Sequence, residues 1–512
     1  MIDREKTGSG GIVADEMGMG KTLMVLSFLE TVRNPGPTLL VGPAGVLHQW
    51  NNQSLSLNLK VLKYAAGNNQ SFDDYQLVLC SYEALIYDAR KGRQVNDFLW
   101  RRVVLDEGHR IRGKTSVVFR IVNNVRCSLR WILTGTPMQN RVSELAQLVR
   151  FLKVEPHCLY DCDLCGRCRV YDRGNDKQCG VCGCPRRLHS LNFNSQILSK
   201  LLPNSEKFED ASRQLRELLD AVMIRRTKAS IGMKPPQEKV CLVQLSGTEA
   251  KFYDNVESII QASERSSTAA ALNQLSELRA LCSFASTAPD CCICQSRFVV
   301  HDKVLVSQKC LHAFHQACNR PGFKTCMFCS PSHCIHPAFP AAYLSSSKIN
   351  EIMRIILERP SRKTLLFSNF LTTIGIISNR LSIAAVDHGV ITGRTTLSER
   401  QLLQNSFNDG SVWILLSTLK IGEGLNLGSA DLVVLADPWW NPQAEVQAIH
   451  RGHRLMRDRM LEVVRVVTAN TVEERVFALS KRKNVIFGAI IDQTNMDALS
   501  TADVKYLLGL SK

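Results

Sequence analysis

Short unbroken apolar stretches recur along the chain, each closed by small, polar or charged residues. In the first third they are TLLVGPA (38–44), YQLVLCSYEAL (75–85), RRVVLDEGH (101–109) and LRWILTGTP (129–137). After Ser361 they return as KTLLFSNF (363–370), VWILLSTLK (412–420), DLVVLADP (431–438) and EVVRVVT (462–468). Continuous rather than alternating apolarity predicts central parallel strands covered on both faces. Helical spacing fills the intervals, as at Lys21–Arg33 and Glu399–Phe407. The fold class expected is therefore α/β, in two lobes with parallel sheets. Residues just after the strands are the candidate ligand-binding positions, because open α/β sheets bind at their carboxyl ends.

Between the lobes, over roughly 156–345, the texture changes. Two cysteine clusters sit there, separated by the helix-like FEDASRQLRELLDAVMIRR (208–226). SERSSTAAA (263–271) and PAFPAAYLSSS (337–347) read as exposed connections. At 512 residues the chain has room for two to four domains of roughly 150 residues each. It has no long apolar run to cross a membrane and no apolar signal core behind its charged N-terminus, so neither a membrane partner nor secretion is expected.

Charge and cysteine content sharpen this picture. Lys and Arg number 63 against 47 Asp and Glu, a net charge of +16 spread without any long basic run, which suits a polyanion such as nucleic acid. Nineteen cysteines are many for a chain read as non-secreted, so metal sites are the leading explanation. Seven fall between Cys158 and Cys184 and seven between Cys291 and Cys329.

The chemistry begins at ADEMGMGKT (14–22), which follows the strand-like GGIVA and opens a helical pattern. Backbone N–H groups of such a loop, Asp15, Glu16, Met17, Gly18, Met19 and Gly20 included, can cradle phosphates at a helix N-terminus. Lys21 would reach the β- and γ-phosphates of ATP, and Thr22 would ligate Mg²⁺. Asp15 stands where the generic loop has its first glycine. Eighty-five residues on, DEGH (106–109) follows a strand. Phosphoryl transfer needs a carboxylate on Mg²⁺ and a group that positions the attacking water, roles that suit Asp106 and Glu107.

DEMGMGKT, DEGH, LTGTPMQN (133–140), DPWWNP (437–442) and QAIHRGHRLMR (447–457) occur in this order. Together they resemble the helicase-like motifs of the Swi/Snf family of DNA-dependent ATPases. LVGPAGVLHQW (40–50), LCSYEAL (79–85), IRRTK (224–228) and STLKIGEGLNL (417–427) fit the same pattern, and Asp15 is the family's own variant. The resemblance implies two RecA-like lobes that hold ATP between them and step along double-stranded DNA in the nucleus. By motif position it makes Arg451 and Arg454 the arginines that stabilise charge on the transferring phosphoryl group, with Gln447 nearby. Where the family continues Arg-Ile-Gly-Gln, this chain has Arg454-Leu455-Met456-Arg457. IRRTK and the surroundings of LKIGEGLNL are candidate contacts to DNA phosphates. LTGTPMQN and DPWWNP disfavour an RNA helicase.

The second cysteine cluster runs Cys291, Cys294, Cys310, His312, His315, Cys318, Cys326, Cys329. Four pairs of N/S ligands make two tetrahedral Zn²⁺ sites. It resembles a RING finger, whose interleaved arrangement puts Cys291, Cys294, His315 and Cys318 on one ion and the other four on the second. Such modules recruit a ubiquitin-conjugating enzyme, and Ile293 occupies the position of the apolar contact residue. Met327 and Ser330 depart from the Pro and Arg often found there. A RING between two ATPase lobes resembles the DNA-repair branch of the family.

In the first cluster Cys179 and Cys182 form one pair. The other is Cys162/Cys165 or Cys165/Cys168, with Cys184 and His189 as further candidates, and structural zinc is expected. The domain reading is 1–155 first lobe, 156–195 Cys-rich insertion, 196–285 helical linker, 286–335 RING, 340–490 second lobe and 491–512 tail. The opening MIDRE resembles the end of a family segment that recognises adenine, so the chain is expected to enter its first lobe partway, with weakened ATP affinity. The leading function is an ATP-driven double-stranded DNA translocase or nucleosome remodeller in DNA repair, with RING ubiquitin ligase activity. Its rival is a zinc-based scaffold with an inactive ATPase.

Overall fold

The computed structural model describes residues 1–491 apart from 9, 33–35, 58, 68–70, 92–94, 96, 114–116, 139–141, 173–176, 202–206, 263–267, 284–292, 295, 297–302, 307–312, 319–338, 341–345, 360, 420–426 and 454–459. The chain forms two compact units, one built on Met1–Pro235 and the other on Pro236–Arg482.

In unit 1, β1 (Gly11–Val13), β2 (Thr38–Gly42), β3 (Val61–Lys63), β4 (Leu77–Ser81), β5 (Trp100–Asp106) and β6 (Cys127–Leu133) alternate with helices α1 (Ile2–Lys6), α2 (Lys21–Thr31), α3 (Ala44–Leu55), α4 (Tyr82–Arg90), α5 (Val117–Asn124) and α6 (Leu145–Leu152). An insertion follows, with antiparallel β7 (Tyr160–Cys162), β8 (Arg169–Val170) and β9 (His189–Leu191). Its two ends lie together, where the Asn192 N–H donates to the Leu159 carbonyl at 2.8 Å. Helix α7 (Phe208–Val222) then delivers β10 (Met223–Ile224) to the main sheet, giving the order β10-β1-β6-β5-β2-β4-β3, parallel throughout.

The apolar runs become strands because both sheet faces are covered. Leu39, Val41, Val103, Leu105 and Ile132 enter one core, while Leu40, Val104, Trp131 and Leu133 enter the opposite one. The opening helix belongs to this packing. Glu5 takes a fork of bonds from buried Arg102, Nε at 2.7 Å and Nη2 at 2.6 Å, and accepts the Trp131 indole N–H at 2.9 Å.

Unit 2 starts with β11 (Gln237–Val243), α8 (Gly247–Ala262) and α9 (Thr268–Ser283). A small antiparallel sheet of β12 (Lys303–Val306), β13 (Ala313–His315) and β14 (Phe339–Pro340) comes next. Then follow α10 (Ser347–Leu357), β15 (Thr364–Ser368), α11 (Leu371–Ile383), β16 (His388–Ile391), α12 (Leu397–Asp409), β17 (Ile414–Thr418), β18 (Leu432–Leu435), α13 (Pro442–Gly452), β19 (Glu462–Thr468) and α14 (Val472–Ile491), which belongs to this unit as far as Arg482. The sheet order is β11-β19-β18-β15-β17-β16, again all parallel and again with a core on each face. Among the described residues, no helix is long and apolar enough to cross a membrane.

The expected linker 196–285 is thus divided between the units. Helix α7 and β10 complete the first sheet, and β11 forms an edge of the second. The eight apolar runs all become strands, and the two α/β sheets match the expected fold class.

Candidate nucleotide-binding and hydrolytic site

In unit 1 the ends of β1, β5 and β6 carry the phosphate loop, DEGH and LTGTP, so three motifs meet at the carboxyl ends of adjacent interior strands. Gly20 ends the loop at φ 79°, a left-handed conformation open to glycine, and α2 begins at once with Lys21. Gly135 permits the close approach of the third motif: a Cβ there would lie 2.3 Å from Met17 Cγ.

Lys21 is folded over the loop, its ammonium donating to the carbonyls of Asp15 at 2.7 Å and Glu16 at 3.0 Å. Burial pulls its pKa below the ordinary lysine value, against the attraction of Glu107, Asp106 and Asp15. Asp106 is buried, with Oδ2 accepting the Trp50 indole N–H at 2.7 Å and Oδ1 accepting the Glu107 N–H at 2.9 Å. Burial, then the neighbouring Glu107 charge, raise its pKa to about 6, while Trp50, the Glu107 N–H and Lys21 pull the other way. Glu107 sits at φ 49°, rare for a residue with a side chain, and its carboxylate lies 3.2 Å from His109 Nδ1. A buried carboxylate short of cationic partners beside a lysine-bearing loop fits Mg²⁺ and a phosphate chain.

The loop also rests on the IRRTK segment. The completely buried Asp15 accepts the Arg226 backbone N–H at 2.9 Å and its guanidinium Nη2 at 2.5 Å. Arg225 donates to the Ala14 carbonyl at 2.9 Å, and the Lys228 N–H to Glu16 Oε2 at 2.8 Å. IRRTK, a candidate contact to DNA phosphates, is clasped to the phosphate loop through these groups. Asp15 therefore anchors the loop through its side chain. Trp50, Arg226 and Thr134, whose hydroxyl accepts the Thr136 N–H at 3.1 Å, are site residues the sequence reading did not single out.

In unit 2, Gln447 and Arg451 stand four residues apart on α13 and are both buried. Arg454 lies outside the described residues. DPWWNP is built over a buried ion cluster. Asp437 accepts from Lys348 Nζ at 3.1 Å, the Ser283 hydroxyl at 2.8 Å, the Asn369 N–H at 3.1 Å and the Ser368 hydroxyl. Lys348 also donates to Glu473 at 2.6 Å. Burial works against its charge, yet Glu473 and Asp437 hold the Lys348 pKa above its ordinary value. Trp439 and Trp440 stack with centroids 3.9 Å apart. Arg279 of α9 lies 4.8 and 5.0 Å from the two rings and donates to the Pro438 carbonyl at 2.7 Å.

Two family models match this chain: the SNF2-related domain over residues 1–286, and the helicase conserved C-terminal domain over 347–456. The chain belongs to the SNF2-related family. Among curated relatives, the ATP-dependent helicase rhp16 of Schizosaccharomyces pombe is 27% identical over 97% of this SNF2-related chain and 68% of its own length. The ISWI chromatin-remodeling complex ATPase ISW1 of Saccharomyces cerevisiae is 25% identical over 96% of this chain and 40% of its own. Among solved structures, the Sulfolobus solfataricus SWI2/SNF2 ATPase core in complex with dsDNA aligns with a TM-score of 0.37 and 23% identity, covering 99% of this chain and 94% of that one.

The SNF2-related sheets carry two cysteine-bearing modules. In unit 2, Cys294, His315 and Cys318 gather their ligand atoms within 4.8 Å of one another, with Cys294 Sγ 3.3 Å from His315 Nδ1. These are three of the four residues expected on one RING ion. Cys291, Cys310, His312, Cys326 and Cys329 lie outside the described residues. In unit 1, Cys162, Cys165, Cys182 and Cys184 form one close group, and Cys168, Cys179, Cys182 and His189 another. Soft thiolate and imidazole donors in fours suit Zn²⁺.

Proposed function

We propose that this chain is an ATP-driven translocase on double-stranded DNA, acting in the nucleus in DNA repair or chromatin remodelling, with ubiquitin ligation by its RING as a second activity. The observation that carries the motor reading is the meeting of Lys21, Asp106 and Glu107 at the carboxyl ends of interior strands. Similarity to the ATP-dependent helicase rhp16 and the chromatin-remodeling ATPase ISW1 supports it, as does the net charge of +16. The loop from Asp15 to Gly20 and Lys21 would hold the phosphates, Thr22 and Asp106 would hold Mg²⁺, and Mg·ATP would supply the phosphoryl group whose transfer to water drives the motor. Lys21, which donates to the Asp15 and Glu16 carbonyls, would turn to phosphate oxygens when nucleotide binds. Glu107, set by its left-handed backbone, orients the attacking water. By motif position, Gln447, Arg451 and Arg454 would stabilise charge on the transferring group.

The test is ATP hydrolysis with and without duplex DNA. Duplex DNA stimulates the wild type, and Lys21→Ala abolishes that stimulation. Equal rates for the two proteins would leave the zinc-based scaffold as the better reading, and stronger stimulation by RNA would point to an RNA helicase.

The grouping of Cys294, His315 and Cys318 supports the RING, and the half-buried Ile293 is its proposed contact to a conjugating enzyme. Ubiquitin chain formation with a panel of conjugating enzymes, lost in Ile293→Ala while zinc content is kept, is the expected result. The Cys162–His189 insertion is proposed to hold structural zinc.

A further inference from the structure

We infer that the Cys162–His189 insertion holds two metal ions bridged by the thiolate of Cys182, a cluster of six cysteines and one histidine. This rests on the zinc reading of the insertion and specifies it. A tetrahedral site needs four donors. The seven ligand atoms fall into two groups of four only because Cys182 belongs to both. The spacings are those of ligands on a common ion. Zinc–sulfur bonds of about 2.3 Å at tetrahedral angles place two sulfurs about 3.8 Å apart. Cys168 and Cys179 Sγ stand 3.7 Å apart, and Cys182 Sγ lies 3.6 Å from His189 Nε2.

The backbone is shaped to present these donors. Two Cys-x-x-Cys-Gly turns face the cluster, Cys162–Gly166 and Cys179–Gly183. Each ends on a glycine at positive φ, 65° and 70°, whose N–H closes the turn onto the carbonyl of its first cysteine, at 3.0 and 2.8 Å. In the first turn the N–H of Cys165 approaches Cys162 Sγ, and that of Cys168 approaches Cys165 Sγ, both at 3.4 Å. Amides aimed at sulfur favour the thiolate over the thiol. The strands β7 and β9 set Cys162 directly opposite His189, so the sheet itself joins the two groups. Six thiolates on two divalent ions leave an anionic cluster, and Arg167, Arg169, Arg186 and Arg187 belong to the same short segment.

The decisive measurement is ¹¹³Cd NMR of the full chain grown with ¹¹³Cd²⁺ in place of Zn²⁺. A thiolate shared by two ions transmits scalar coupling between them, so one mutually coupled pair of resonances is expected. The RING sites, interleaved but sharing no ligand, contribute uncoupled signals. Absence of any coupled pair overturns the bridge.

Zinc content by mass spectrometry gives a second readout. Cys162→Ala and Cys168→Ala should each lose one equivalent relative to wild type. If only one of these variants loses zinc, the insertion holds a single ion and the bridge is wrong while structural zinc stands. If neither loses zinc, both readings fail. The coupling measurement uses the unaltered chain, so a misfolded variant does not decide the question.

Discussion

The two α/β units solve the same problem in opposite ways. Each must hold carboxylates at the ends of parallel strands, out of water. In unit 1, Asp106 is held by an indole and an amide, and its pKa rises to about 6. In unit 2, Asp437 sits beside the completely buried Lys348, which together with the Ser368 and Ser283 hydroxyls keeps its pKa below the ordinary carboxylate range although burial opposes this. Neutral donors leave a carboxylate under-neutralised and receptive to an added cation, whereas a buried ammonium satisfies it and makes it architecture. The contrast separates a proposed binding site from a strut that supports DPWWNP.

The largest test of this contrast removes the strut. Lys348→Met keeps the length of the side chain but leaves Asp437 and Glu473 buried without their cation. Unit 2 should lose about 4 kcal/mol, seen by hydrogen-exchange mass spectrometry as lost protection in β15 and β18 with unit 1 unchanged. The depressed pKa of Asp437 gives the pH sign. Its stabilisation is present above the unfolded carboxylate pKa and disappears as pH falls through the folded one, so the gap between variant and wild type narrows in acid.

Next in size is Arg226→Ala, which strips the guanidinium from Asp15. Because Arg226 is half exposed, the cost should be nearer about 2 kcal/mol. ATP affinity should fall with it, since the phosphate loop loses its clasp. An unchanged affinity would show that the clasp holds the fold but not the loop.

Trp50→Phe should cost about 1 kcal/mol and raise the Asp106 pKa further, because the indole N–H stabilises the charged form. The smallest effect needs no mutation. Below about pH 6 Asp106 takes up a proton, so Mg²⁺-dependent nucleotide binding should weaken as pH drops from 7 to 5. Asp106→Asn should remove that part of the pH dependence, measured by calorimetry.

The sequence reading succeeded where burial leaves an apolar signature. Leu39–Val41 and Val103–Leu105 send alternate residues into opposite cores, so their strands are apolar throughout. It failed at edges. Strand β11 is mostly exposed on its side chains and lay hidden in a supposed helical linker. The helical pattern of 208–226 was carried past Val222 into β10, whose two residues have too little sequence to announce a strand. Lys21, Asp106 and Glu107, which meet in unit 1, and separately Gln447 and Arg451 on α13, were legible because motif order marks them. Arg226, Lys348 and Arg279 were not, because a cation committed to a buried partner looks in sequence like one that faces water. Trp50 likewise reads as core, and only its indole N–H ties it to Asp106.

The Asn192–Leu159 bond, which brings the ends of the cysteine-bearing insertion together, bears on descent. To the surrounding lobe, everything between those residues amounts to one short hairpin. A module that enters and leaves at a single point can be grafted, exchanged or lost without disturbing the register of the parent sheet. An SNF2-related core can therefore carry such an accessory while the sheet beneath it keeps its order.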